Sequence, residues 1–107
     1  MAIDSSVYIL FPDGSIRKYT RAQPDSFSLT GLDTPFSNPT KIFTDKETES
    51  VYVLDSGNSR IVKLSKDGAF QKSYPVDRAG QAKDFEVMEQ DNKILLLSND
   101  KIWEISL

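Results

Sequence analysis

Residues 51–65 read Val51-Tyr52-Val53-Leu54-Asp55-Ser56-Gly57-Asn58-Ser59-Arg60-Ile61-Val62-Lys63-Leu64-Ser65. β-Branched, aromatic and aliphatic residues crowd into two short runs with a polar corner between them, the pattern of two strands joined by a turn. The corner has turn chemistry: Gly and Asn accept positive φ, and Asp caps backbone amides through its side chain. The same residues admit a second reading, in which Asp55, Asn58 and Arg60 form a small carboxylate–guanidinium site held by Gly57. What surrounds the stretch decides between the two.

The stretch recurs. Val7-Tyr8-Ile9-Leu10 precedes Val51-Tyr52-Val53-Leu54 by 44 residues, and Ile94-Leu95-Leu96-Leu97 follows it by 43. Behind each apolar run come a polar corner and a second run. The second runs are Ser15-Ile16-Arg17-Lys18-Tyr19-Thr20, Arg60-Ile61-Val62-Lys63-Leu64-Ser65 and Lys101-Ile102-Trp103-Glu104-Ile105-Ser106. Three matches at one period make this a repeat. The corners Pro12-Asp13-Gly14, Asp55-Ser56-Gly57-Asn58-Ser59 and Asn99-Asp100 differ in length while the strands stay in phase. A hairpin tolerates that and a fixed catalytic geometry does not, so the corner reads as a structural hinge.

Each interval holds further strand candidates. Ala69–Tyr74 follows the turn Lys66-Asp67-Gly68 and has a counterpart at Ser26–Leu29. Pro39–Thr44 and Ala82–Val87 share a phase ahead of the charged turns Asp45–Glu49 and Glu89–Lys93. No segment carries the 3.6-residue apolar period of a helix. The expected fold is all-β: one incomplete segment over 1–107, made of four-stranded antiparallel sheets phased at 6–29, 39–75 and 82–107, with longer connections at 30–38 and 75–81. The apolar runs do not alternate, which predicts sheets covered on both faces.

Tyr52-Val53-Leu54-Asp55-Ser56-Gly57-Asn58-Ser59-Arg60-Ile61-Val62-Lys63-Leu64, followed by Asp67-Gly68 and Phe70, resembles the NHL repeat of β-propeller proteins. Asn38-Pro39-Thr40-Lys41-Ile42 is similar to that family's approach to its inner strand. The other two copies depart from the motif, keeping only Gly14 in the first and neither Gly nor Arg in the third. The resemblance implies a β-propeller fragment in which Asp55, Gly57, Asn58 and Arg60 shape a hairpin. In that phase the chain begins just after an inner strand and stops before an outer one. It also implies a non-catalytic binding or scaffold module. The alternatives are part of a lactonase-like propeller hydrolase whose catalytic residues lie elsewhere, or a carbohydrate-binding ring assembled from copies.

Composition narrows the chemistry. The 107 residues contain no Cys and no His, which removes disulfides, thiolate zinc sites and the usual partner of a serine nucleophile such as Ser5 or Ser6. The net charge of −3 and the lack of any basic block give a phosphate backbone no field to meet, so no nucleic-acid partner is expected. No apolar run approaches the roughly 20 residues that span a bilayer, and Met1-Ala2-Ile3-Asp4 does not read as a secretory signal. The acidic turns Asp45–Glu49 and Glu89–Lys93 lack the ligand alternation of a calcium loop and each contains a lysine; they read as solvated, and no cofactor is expected. Tyr8 and Tyr52 fall at core positions, whereas Trp103 is a candidate ligand or interface aromatic. A partial stack would expose apolar faces at its ends, bearing Tyr19 on one and Trp103, Ile105 and Leu107 on the other. Such faces predict a partner: a second copy, or the remaining blades of a parent chain.

Overall fold

A computed structural model of the chain describes residues 2–3, 6–11, 13–32, 34–45, 48–76, 84–98 and 101–106. Regular structure among these residues is all β, apart from 3-10 turns at Ser56–Asn58 and Glu89–Asp91. The strands form three antiparallel sheets. The first holds β1 (Ala2–Ile3), β2 (Ser6–Leu10), β3 (Ile16–Thr20) and β4 (Gln23–Asp25), in that order. The second holds β5 (Pro39–Phe43), β6 (Val51–Asp55), β7 (Arg60–Leu64) and β8 (Phe70–Pro75), again in order. The third holds β9 (Asp84–Met88), β10 (Lys93–Leu97) and β11 (Ile102–Ser106). Each sheet is a meander of sequence neighbours. Among the expected turn and strand residues, Ser5, Pro12, Lys46, Glu47, 77–83, Asn99, Asp100 and Leu107 lie outside the described residues.

The repeated hairpins superpose residue for residue in register. Tyr8 faces Lys18, Tyr52 faces Lys63 and Leu95 faces Glu104 across the paired strands. Ile9 with Arg17, Val53 with Val62 and Leu96 with Trp103 form the next equivalent row. Leu10 with Ile16, Leu54 with Ile61 and Leu97 with Ile102 form the row beside the corner. The different corner lengths are absorbed outside the strands, so the side-chain faces stay in phase.

The first sheet departs from the sequence reading at both ends. Ala2–Ile3 pairs with Val7 and Tyr8, so the inner strand expected to be absent is present as a two-residue strand. The outer strand is Gln23–Asp25 and not Ser26–Leu29. Arg21 and Ala22 both take left-handed backbone angles, φ 53° and 64°, and close a two-residue hairpin directly after Thr20. The chain has left the sheet by Ser26 and crosses to the second sheet. There Ser28 N–H donates to Asp67 O (2.9 Å), Thr30 N–H to Gly68 O (3.2 Å) and Phe70 N–H to Thr30 O (2.8 Å). Gly68, at φ +103°, is required at this crossing: a Cβ there would meet Ser28 O at 2.3 Å.

The second sheet lies between the other two. One apolar cluster joins it to the first sheet through Tyr8, Ile16, Ile42, Val51, Val53, Val62 and Leu64. A second joins it to the third sheet, where Tyr52, Leu54, Ile61, Tyr74 and Val76 meet Phe85, Val87, Ile94 and Leu96. Every residue of β6 is consequently buried, whereas β10 alternates buried and half-buried positions and β2 buries only Ser6 and Tyr8. The expectation of coverage on both faces therefore holds for the central apolar run and fails for its two copies. The reason is positional, since only the central sheet has a neighbour on each side.

Candidate functional site

The four corner residues meet in one knot around the buried Asp55 and Arg60. Asp55 closes β6 with no exposed surface, and Arg60 opens β7 at 6% exposure. The 3-10 turn between them and left-handed Ser59 (φ 51°) bring carboxylate and guanidinium to the same side. Arg60 Nε donates to Asp55 Oδ2 at 2.9 Å, and Asn58 Nδ2 donates to the same oxygen at 2.9 Å. Ser37 N–H supplies Asp55 Oδ1 at 2.8 Å.

The knot ties down the connection that precedes β5. Arg60 Nη2 donates to Thr34 O at 2.6 Å and Asn58 Nδ2 to Pro35 O at 3.0 Å. Gly57 N–H donates to Ser37 O at 2.7 Å. This close approach is why glycine stands at 57, because a Cβ there would fall 2.0 Å from Ser37 O. A buried ion pair offsets its desolvation only when its remaining donors and acceptors are paired as well. Among the described residues no buried side-chain polar atom lacks a partner. These groups bond to one another and to the backbone of Thr34, Pro35 and Ser37, which fixes that loop.

A polar clamp that the sequence reading missed joins the second and third sheets. Glu89, first residue of the turn after β9, accepts Tyr52 Oη–H at 2.7 Å and Glu49 N–H at 2.7 Å. Burial, and then the neighbouring Glu89 carboxylate, push the Tyr52 phenol well above its ordinary range. The signal available in the sequence was Tyr52 itself, because a tyrosine in the middle of a buried run needs a partner for its hydroxyl. The sequence alone places Glu89 in a solvated turn, whereas its carboxylate is engaged in this clamp. Asp45 is likewise engaged locally, accepting Thr48 Oγ1–H at 2.7 Å. Among the described residues no group of three or more His, Cys, Asp or Glu is placed to hold a metal ion, and no helix is long and apolar enough to cross a membrane.

Between the first two sheets, Tyr8 is the central aromatic. Its ring meets Phe27 edge-on at 5.9 Å, with the ammonium groups of Lys18 and Lys66 at 5.5 and 5.7 Å from its centroid. Lys18 also donates to Lys66 O at 3.3 Å, which carries the contact from one sheet to the next. Tyr8 and Tyr52 are thus both core residues, at 1% and 0% exposure.

Trp103 sits elsewhere than the sequence suggested. It is half-buried and packs, with Ile105, against the cluster between the second and third sheets. Strand alternation turns Ile102 and Glu104 the other way, and Ile102 is 67% exposed. The outward apolar residues of this end are therefore Ile102, Leu95 and Leu97 rather than Trp103 and Ile105. At the opposite end Val7, Ile9 and Tyr19 are half-buried on the side of the first sheet that faces away from the second. These two end faces are the candidate functional surfaces. A groove of about 640 Å³ lies between the second and third sheets, lined by Glu49, Lys63, Lys72, Tyr74 and Glu89 among others. Glu89 is already engaged there by the clamp, and Lys72 lies over the Tyr74 ring at 4.8 Å.

Comparison with protein-family models, with curated proteins and with solved structures gives no match to this chain.

Proposed function

We propose that this chain is a non-catalytic binding and scaffold module of the β-propeller type, whose sheets are blades in the manner of NHL repeats and whose end faces associate with further blades. The observation that carries the reading is the repeated packing step. Each apolar run turns its second and fourth residues toward the sheet that follows and its first and third toward the sheet that precedes. Tyr8 and Leu10 do this in β2, Tyr52 and Leu54 in β6, and Leu95 and Leu97 in β10. The step occurs twice within the chain, and the residues that would make it a third time are on the surface.

Two further features support blades over a generic sandwich. The sheets approach each other along one edge, through β2 against β5 and β5 against β9. The connection after β4 then runs from the far edge of one sheet past the β7–β8 turn of the next, as a crossover from outer to inner strand does. Three sheets per copy make two copies a natural complement, since closed propellers use roughly 4–8 blades. Light scattering across about a hundredfold range of concentration tests the proposal. An associated species is expected, and a 12.0 kDa monomer at every concentration overturns it.

A further inference from the structure

Resting on that reading, we propose that the occupant of each end face is a second copy of this chain docked head to tail, with Arg17 of one copy set against Glu86 and Glu104 of the other. The argument begins from register. The paired rows make positions 18, 63 and 104 equivalent, and likewise 17, 62 and 103. Phe43 and Glu86 are equivalent too, since Phe43 faces Tyr52 and Glu86 faces Leu95.

At both internal contacts the face turned to the next sheet carries a lysine at the first of these positions, Lys18 or Lys63. The face that the following sheet turns back carries an uncharged residue at the second, Val62 or Trp103. At the open ends both positions change. The third sheet carries Glu104 where the others carry lysine, and Glu86 where the second sheet carries Phe43. The first sheet carries Arg17 where the others carry Val or Trp. The changes are of opposite sign and lie on the two faces that would meet in the next packing step.

The surroundings of these residues fit the same step. Leu95 lies between Glu86 and Glu104 across its two neighbouring strands, and Leu97 lies between Asp84 and Ile102. Lys93 shares this face, 3.5 Å from Glu104, so three carboxylates stand against one ammonium. On the opposite end Ile9 lies beside Arg17, and Val7 beside Tyr19, which in turn pairs with Pro24. Exposed Arg17 is held over the Phe11 ring at 5.4 Å, and it is the cation on the outward side of β2–β4. Apolar rows thus face apolar rows, and a cation faces an excess of carboxylates. Complementary charge of this kind selects partner and register. Because the two faces differ, the contact is heterologous, and it closes or propagates according to the rotation per copy.

The test is the association of the full chain with charges reversed, followed by sedimentation and checked by circular dichroism for an intact fold. Arg17→Glu and Glu104→Arg should each weaken association by about tenfold or more through like-charge contact. The double variant in one chain should associate like the wild type, and an equimolar mixture of the two single variants should form mixed assemblies. That pattern supports the proposal. Restoration in the double variant is specific to head-to-tail contact, because a contact between identical faces would keep its like charges together. Self-association of the wild type that both single variants leave unchanged overturns this inference while the module reading stands. Weakening in both singles without restoration in the double overturns the head-to-tail geometry. A wild type that stays monomeric overturns the reading and the inference together.

Discussion

Replacement of Gly57 by alanine separates the loop-fixing account of the corner from a simple turn preference, because the two predict opposite signs. The backbone of residue 57 lies outside the left-handed region, within a 3-10 turn, so alanine fits it without strain. By backbone entropy alone the substitution would stabilise the protein by about 0.4–1 kcal/mol. The structure adds a collision. The new Cβ would stand 2.0 Å from Ser37 O and 2.6 Å from Ser37 C. Ordinary contact requires the 34–38 segment to retreat by roughly 1.5 Å. That segment is held by Gly57 N–H on Ser37 O, Ser37 N–H on Asp55, Asn58 on Pro35 O and Arg60 on Thr34 O. Losing two of these, one of them to a charged group, costs about 2–4.5 kcal/mol. Set against the entropic gain, the net loss is about 1–4 kcal/mol, a large share of the stability of a domain of this size. Urea denaturation at fixed protein concentration should show a midpoint lower by about 0.5–2 M at an m-value near 2 kcal/mol/M. A midpoint equal to or above that of the wild type refutes the reasoning.

Glu89→Ala leaves the buried Tyr52 hydroxyl without its acceptor and should destabilise by about 1–3 kcal/mol; combining it with Tyr52→Phe should recover part of that loss in a double-mutant cycle. The folded-state pKa of Tyr52 is raised, so its contribution is complete below the unfolded value near 10 and is lost as pH climbs above it, by about 1.4 kcal/mol per unit. Denaturation midpoints of the wild type should therefore fall more steeply above pH ~10 than those of Tyr52→Phe, and matching slopes would contradict the assignment. Changing Arg21-Ala22 to Asn-Gly relieves two left-handed non-glycine residues and should raise stability by about 1–2 kcal/mol in the same urea assay; a lowered midpoint would show that the turn is not the mirror-image type.

Much of the fold was legible because strand position and hairpin register are local properties. Val51–Asp55, Arg60–Leu64 and Phe70–Pro75 follow from β-rich runs bounded by Gly, Asn and Asp, and the period of the repeat carried the assignment to the copies at either side. The outer strand of the first sheet was misplaced because it has almost no strand composition. Gln23-Pro24-Asp25 is extended by the turn before it and by Thr20, whose hydroxyl donates to Asp25 at 2.6 Å while lying 2.7 Å from the Ser6 hydroxyl. The partners of the corner were illegible for another reason. Thr34, Pro35 and Ser37 contribute backbone atoms, and a carbonyl acceptor leaves no mark in the side-chain sequence. Only Gly57, whose missing Cβ is a local trace of a distant neighbour, hinted that something lies close.

The end faces show why periodicity misassigned the residues that face outward. A run such as Ile94-Leu95-Leu96-Leu97 or Ile102-Trp103-Glu104-Ile105 has apolar residues on both sides of its strand, so size and hydropathy suggest that the large aromatic lies at the interface. Register decides otherwise. Trp103 is equivalent to Val62, which faces backward into the core, and Ile102 is equivalent to Ile61, which faces forward. Ile61 is wholly buried because the third sheet covers it, whereas Ile102 is 67% exposed in the same relation to its own strands. The difference between these two isoleucines is therefore a property of the neighbour and not of the residue. The forward face that buries Ile61 is repeated at Ile102 with carboxylates around it, which is why one isoleucine is wholly buried and its equivalent is open.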